Sequence, residues 1–242
     1  MTATRRVQNQ PAWLLHHRPF RDSSRILDVL SQDYGRLSVV ARGSRSANSK
    51  LKGLLRPFLP LQLSWFIRTD LGTLTGAEMN GAPITLTGDA LLSAYYINEL
   101  LLNLLHRHDP QPEIFEAYRN TMEALQGQIE VASQLRRFEL EMLRLLGYAV
   151  NLDHDTESDA DLDVAQCYEY HVERGPVPVT RKEGPMVFSG SELIAIRNQD
   201  FSDPRVLRNA GRLLRQVIAW HLNGKELKSR KVLKELRRGA GR

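Results

Sequence analysis

The stretch RILDVLSQDYGRLSVVA, residues 25–41, reads as a β-hairpin. Two apolar, β-branched runs, 25–30 and 36–41, flank Gln32-Asp33-Tyr34-Gly35, whose glycine accepts the positive φ of a tight turn. Three further short strands follow from the same reading. Residues 12–17 precede a turn-like Arg18-Pro19; residues 61–68 alternate Leu61, Leu63, Trp65 and Ile67 against Gln62, Ser64, Phe66 and Arg68; and 71–78 follow across Thr69-Asp70. Between the third and fourth strands, 44–60 is rich in Gly, Ser and Lys and holds one apolar stretch, 51–55, long enough for a helical turn that closes a barrel floor. Five strands with such a connector predict a Greek-key barrel of the OB type, although the strand count alone also accommodates an SH3-like barrel.

Past Gly81-Ala82-Pro83 the apolar spacing changes from two to three and four. Thr87 or Asp89 caps a helix ending at 106, with Leu91, Leu92, Tyr95, Tyr96, Glu99 and Leu102 at helical intervals. Residues 112–125 and 131–146 repeat the pattern, and Gly147 supplies the left-handed residue that ends the last helix. NLDHDTESDADLD, residues 151–163, holds six acids and no Lys or Arg, the composition of a solvated loop or mobile insertion. Residues 168–172 and 178–180 form a short hairpin, and 189–197, 204–222 and 229–238 are helical. The predicted fold is multidomain α+β. A five-stranded OB barrel spans 1–80 and a helical bundle 81–150; an acidic loop and hairpin insertion spans 151–188, and C-terminal helices over 189–242 pack on the bundle.

Composition narrows the function. One cysteine, Cys167, excludes an intramolecular disulfide and a four-thiolate zinc site, and it fits a reducing, cytoplasmic compartment. The longest apolar region, 91–105, is broken by Asn98 and Glu99 and falls short of the roughly 20 residues of a membrane helix, so no membrane partner is expected. There is no P-loop, G-x-S-x-G or H-E-x-x-H, and the alternating acids from Asp153 to Asp163 lack the sixth-place glycine and closing glutamate of a calcium loop. No catalytic residue, cofactor or metal is therefore expected, and the chain works by binding. Charge is uneven: residues 1–80 hold 12 Lys and Arg against 5 Asp and Glu, 81–163 hold 5 against 15, and 164–242 hold 16 against 8. Two basic segments separated by an acidic one predict two surfaces for polyanions.

Within the first segment no acid occurs between Asp33 and Asp70, while Arg36, Arg42, Arg45, Lys50, Lys52, Arg56 and Arg68 all do. Most of them fall on a strand and the loop after it, so their charges can converge on one barrel rim, where phosphates displace condensed counterions with little regard to base sequence. Single-strand binding also needs flat rings. Of Trp13, Phe20, Tyr34, Phe58, Trp65 and Phe66, strand alternation exposes at most one of the last pair, and Phe20, between Arg18 and Arg21, is the preferred stacking residue. Later, Arg136 and Arg137 precede Leu143 and Leu146 on one helix, the chemistry for forking onto a peptide carboxylate beside an apolar groove, with Glu139 and Glu141 near enough to compete. Arg205, Arg208, Arg212 and Arg215 fall on one helical face as a second polyanion contact, followed by Lys225, Lys228, Arg230, Lys231 and Lys234.

In order, HRPFRDSSRILDVLSQDYGRLSVVARGSR (17–45), LKGLLRPFLPL (51–61), YYINELLLNLL (95–105), LRRFELEMLRLLGYAVNL (135–152) and HLNGKELKSRKVL (221–233) resemble the bacterial DNA repair protein RecO family over essentially the whole chain. The resemblance implies an OB domain followed by a helical domain with an inserted hairpin region. It implies a recombination mediator that binds single- and double-stranded DNA and anneals complementary strands. It further implies assembly with RecR and capture of the acidic C-terminal tail of single-stranded-DNA-binding protein (SSB), so that RecA is loaded on coated DNA. Many members carry a four-cysteine zinc module after the Gly-Tyr helix end. Here that stretch holds acids and only Cys167, so no zinc is expected. An OB-fold RNA-binding or architectural protein is the competing reading.

Overall fold

The computed structural model describes residues 5–68, 70–127 and 130–239. Its elements run β1 (Arg5–Phe20), β2 (Ser24–Ser31), β3 (Gly35–Ala41), α1 (Leu51–Leu54), β4 (Pro60–Ile67), β5 (Leu71–Met79), α2 (Gly88–Leu104), α3 (Pro112–Gln126) and α4 (Val131–Leu145). After these come β6 (Cys167–His171), β7 (Gly175–Val179), β8 (Val187–Ser189), α5 (Gly190–Arg197), α6 (Pro204–His221) and α7 (Lys228–Gly239). The chain divides into two compact units, Met1–Ile129 with Leu227–Arg242, and Glu130–Glu226.

In the first unit β1 to β5 close a barrel in the order β1-β2-β3-β5-β4, with β3 and β5 parallel and α1 between β3 and β4. This is the OB fold. Alternation turns Leu27, Val29, Leu37, Val39, Leu61, Leu63 and Trp65 inward, and Leu51 and Leu54 of α1 pack on that core. Gly35 is required twice over: its φ is +62°, and a Cβ there would lie 1.9 Å from the Asp109 carbonyl oxygen.

β1 is far longer than 12–17. Asn9 (φ 50°) and two register shifts, between Val7 and Gln10 and between Leu14 and His16, bend it so that its first half pairs with β4 and its second with β2. Arg18-Pro19, expected to turn, continues the ladder opposite Ile26 and Arg25. The turn comes later, with Arg21 at φ 52°.

Trp13 is almost fully buried on the barrel's outer side, its ring edge-on to Tyr118 of α3 at 5.4 Å. The Tyr118 hydroxyl donates to Asn98 Oδ1 (2.8 Å), and Asn98 Nδ2 donates to the Leu15 carbonyl (3.0 Å), so a buried polar chain ties α3 through α2 to β1. Burial pushes the Tyr118 phenol up, so it remains a donor. Tyr118→Phe leaves Asn98 Oδ1 buried without that donor. It is expected to cost about 1–3 kcal/mol, read from urea midpoints; an unchanged midpoint would refute the tie.

α7 returns to this unit. Glu99 of α2 accepts from Lys228 N (2.8 Å), Ser229 N (2.8 Å) and Ser229 Oγ (2.6 Å), satisfying amides at the start of α7. Arg230 adds a bond to the Tyr96 hydroxyl at 2.7 Å. Residues 81–150 therefore do not make one bundle: α2 and α3 belong with the barrel, whereas α4 belongs to the second unit. The C-terminal helices also part company, α6 packing on α4 and α7 on α2.

The second unit adds a sheet of order β7-β6-β8, three strands where a hairpin was expected. β8 is only three residues long, too short to show a period, and it runs directly into the Ser189–Glu192 capping box that starts α5. The acidic segment 151–163 is a built loop: Asp155, 6% exposed, accepts from Glu157 N (2.9 Å) and Ser158 N (2.7 Å). Among the described residues no helix is long and apolar enough to cross a membrane.

Candidate nucleic-acid interface

The β1–β2 turn and the loop after β3 are laced together. Arg45 N donates to the Ser23 carbonyl (2.8 Å) and Arg45 Nη1 to that of Arg21 (3.3 Å), while Ser44 Oγ is buried against the Ala41 carbonyl (2.8 Å). Successive turns carry the loop onward, Ser46 N to Gly43 O, Ser49 N to Ser46 O and Lys52 N to Ser49 O, each at 3.1 Å. The result is a folded ridge. Arg42, Arg45, Lys50, Lys52 and Arg56 are exposed along it, and Arg18 and Arg21 are exposed at the turn it meets. Phe20 is half-buried with the Arg21 guanidinium 5.2 Å from its ring centre.

Strand register adds a second feature. Arg6, Phe66, Thr73, Val40, Ile26 and Arg18 are successive ladder partners across β1, β4, β5, β3, β2 and back to β1. Paired residues project from one side of a sheet, and because Trp65 fills the interior this side is the outer one. At about 4.8 Å per strand the row runs about 24 Å around the closed barrel, beginning and ending on β1. Its centre is apolar and nearly closed, with Ile26 7% and Val40 9% exposed. At one end Phe66 is half-buried with the Arg68 guanidinium 5.5 Å from its ring centre; at the other is Arg18.

Two charges on this face are already engaged. Arg36 Nε donates to the Leu105 carbonyl (3.0 Å), which makes it a strut to the end of α2; burial, then Arg107, lowers its pKa. Asp28, nearly buried, accepts from Ser38 Oγ (2.5 Å) and draws His16 Nδ1 to 3.5 Å and Arg18 Nη1 to 3.6 Å, offsetting part of the Arg18 charge. His17 is held below the ordinary imidazole range by burial, Arg25 and His16, which favours its neutral form at pH 7.

Of the expected peptide site, Arg136 is 12% exposed and paired at 2.9 Å with Glu139, itself 0% exposed, while Leu143 is core. Arg137 is accessible, 5.8 Å from the Phe201 ring centre and 3.9 Å from Glu130, and Leu146 is half-buried. The α6 stripe divides as well. Arg212 donates to the Gly184 (3.2 Å) and Val187 (2.8 Å) carbonyls over the Phe188 ring, Arg205 pairs with Glu192 (2.7 Å), and Arg208 and Arg215 are exposed. Lys225, Lys228 and Lys231 are exposed; the side chain of Lys234 lies outside the described residues.

Sequence reading passed over Arg6, Phe66 and Arg68 as a group. The Trp65/Phe66 alternation was the available signal for the ring, but Arg6 joins only through the β1–β4 register. The two basic segments also redistribute. Met1–Ile129 with Leu227–Arg242 carries 21 Lys and Arg against 12 Asp and Glu, and Glu130–Glu226 carries 12 against 16, so the excess cations of the tail rejoin the barrel's unit.

The fold defines the class, an OB-fold protein with an appended helical unit. Family models described as Recombination protein O N terminal and Recombination protein O C terminal match residues 5–82 and 86–231. Proteins named DNA repair protein RecO from Dechloromonas aromatica and Aromatoleum aromaticum are each 41% identical, covering 98% of this chain and 99% of their own. That of Nitrosococcus oceani is 42% identical over 96% of this chain and 95% of its own. The chain belongs to the RecO family, and its role is in DNA repair.

Proposed function

We propose that the chain is a recombination mediator that binds single- and double-stranded DNA on the rim and outer row of its barrel. In this reading it anneals complementary strands and, with RecR, helps load RecA on SSB-coated DNA at the nucleoid. The observation that carries the reading is the ridge of Arg42, Arg45, Lys50, Lys52 and Arg56 tied to the Arg18–Arg21 turn, on a barrel whose outer row also carries Phe66. Annealing makes and breaks no covalent bond. Its barrier is repulsion between two polyanions, which the ridge lowers by taking the place of counterions, while a base stacked on Phe66 or Phe20 stays unpaired until its complement arrives. Arg137, beside Phe201, is the fork for the SSB tail; Arg136 serves the fold.

The test is annealing of complementary oligonucleotides, bare and SSB-coated, with an RNA competitor. Phe66→Ala should weaken single-strand affinity about 5- to 100-fold with an unchanged salt slope, because a stacking face is lost and no cation. Failure to anneal, or preference for RNA, would overturn the reading in favour of an RNA-binding or architectural protein.

A further inference from the structure

The second unit carries an exposed tryptophan that the barrel site does not use. Trp220, 54% exposed near the end of α6, lines an open groove of about 400 Å³ with Val172, Gln216, Ala219, Asn223 and Gly224. The groove exists because α6 ends abruptly. Asn223 (φ 51°) and Gly224 (φ 73°) turn left-handed, and Gly224 N bonds back to the Ala219 carbonyl at 3.0 Å, so the helix stops about one turn past Gln216 and one residue past Trp220. A Cβ on Gly224 would meet nothing within 4 Å. Beside the groove, the Tyr148 ring, itself 38% exposed, stacks on His221 at 4.1 Å and 17°.

We propose that this groove seats one unpaired base of a single nucleic-acid strand, the Trp220 indole stacking on it and the Gln216 and Asn223 amides bonding its edge. The inference rests on the nucleic-acid reading above and adds a second site, in the unit whose net charge is negative. Three observations select this occupant. A flat indole in a groove of nucleotide size is the chemistry of sequence-tolerant stacking. Two carboxamides in the wall match base edges, whereas an apolar side chain of a protein partner would cover them without offering a bond. Arg215, one turn before Ala219, and Lys225, next to Gly224, are exposed and supply cations for the attached phosphate. Glu173 follows Val172 and Glu226 follows Lys225 in the chain, so charge alone draws little here and the ring carries recognition. Annealing needs one strand held while another is sampled, and a site on each unit provides that.

Tryptophan fluorescence of the full chain reads the site directly, because Trp13 and Trp65 are 3% and 0% exposed and only Trp220 is open among the three. Oligo-dT should quench the emission. Trp220→Phe should abolish the quench while retaining most of the affinity, and Trp220→Ala should lower affinity about tenfold with circular dichroism and salt slope unchanged. Quenching that persists in Trp220→Phe, or unaltered affinity in Trp220→Ala, overturns the site. So does quenching by an apolar peptide and not by oligo-dT, or by self-association of the chain. Binding of oligo-dT with no change at Trp220 removes this inference and leaves the barrel reading standing, whereas no binding at all removes both.

Discussion

Replacing Arg42, Arg45, Lys50 and Lys52 together with alanine is expected to lower single-strand affinity about 10²- to 10³-fold at 0.1 M salt and to flatten the dependence of log K on log salt by about 3. Each single-strand phosphate contact contributes about 0.7 to that slope, and the loss at 0.1 M follows if the four contacts contribute nothing at 1 M. The fold should survive. All four side chains are exposed, and of the bonds that shape the loop only the long one from Arg45 Nη1 to the Arg21 carbonyl is lost, whereas those from Arg45 N, Ser44 Oγ and the turn amides are retained in the variant. Filter binding across a salt series with a thermal melt is sufficient. A parallel drop in affinity with an unchanged slope would mean that the ridge meets no phosphate.

The second large effect concerns stability. Arg136→Ala removes the guanidinium that faces Glu139, 0% exposed, at 2.9 Å, and breaking a buried pair by deleting one member costs about 3–5 kcal/mol. The Arg136 guanidinium also fills space beside Gly211, where a Cβ would lie 3.2 Å from Nη1, so truncation opens a void between α4 and α6. Replacing both members with apolar residues, Arg136→Met with Glu139→Leu, should recover most of the loss, since neither charge is then desolvated. Denaturant midpoints decide it, and an unaffected single variant would show the pair to be idle. A peptide-binding defect in Arg136→Ala would thus report a weakened fold. Arg137→Ala, at a position 39% exposed, is the variant that tests the peptide fork.

The residues that define the barrel were legible because each is a local pattern: the 25–41 hairpin, the Leu61 to Arg68 alternation, and the one-turn connector. β1 was not, because a strand that bends twice breaks its own period, and its pairing with β4 is set some 50 residues away. The basic ridge was visible as a run without acids. What each arginine does was not visible, because Arg36, Arg136 and Arg212 find their partners, Leu105, Glu139 and Val187, only in the folded chain. Spacing on a helix tells which cations share a face; it does not tell which of them the neighbouring carbonyls and carboxylates will claim.

Closure of the first unit by α7 bears on how the protein is made. During translation the barrel, α2 and α3 leave the ribosome well before the segment from Leu227 onward, so Glu99 and the face of α2 around Tyr96 stay bare while the whole second unit is being synthesised. A nonsense codon near the 3′ end of the reading frame would make that transient exposure permanent, marking the shortened product for proteolysis even though its barrel was complete.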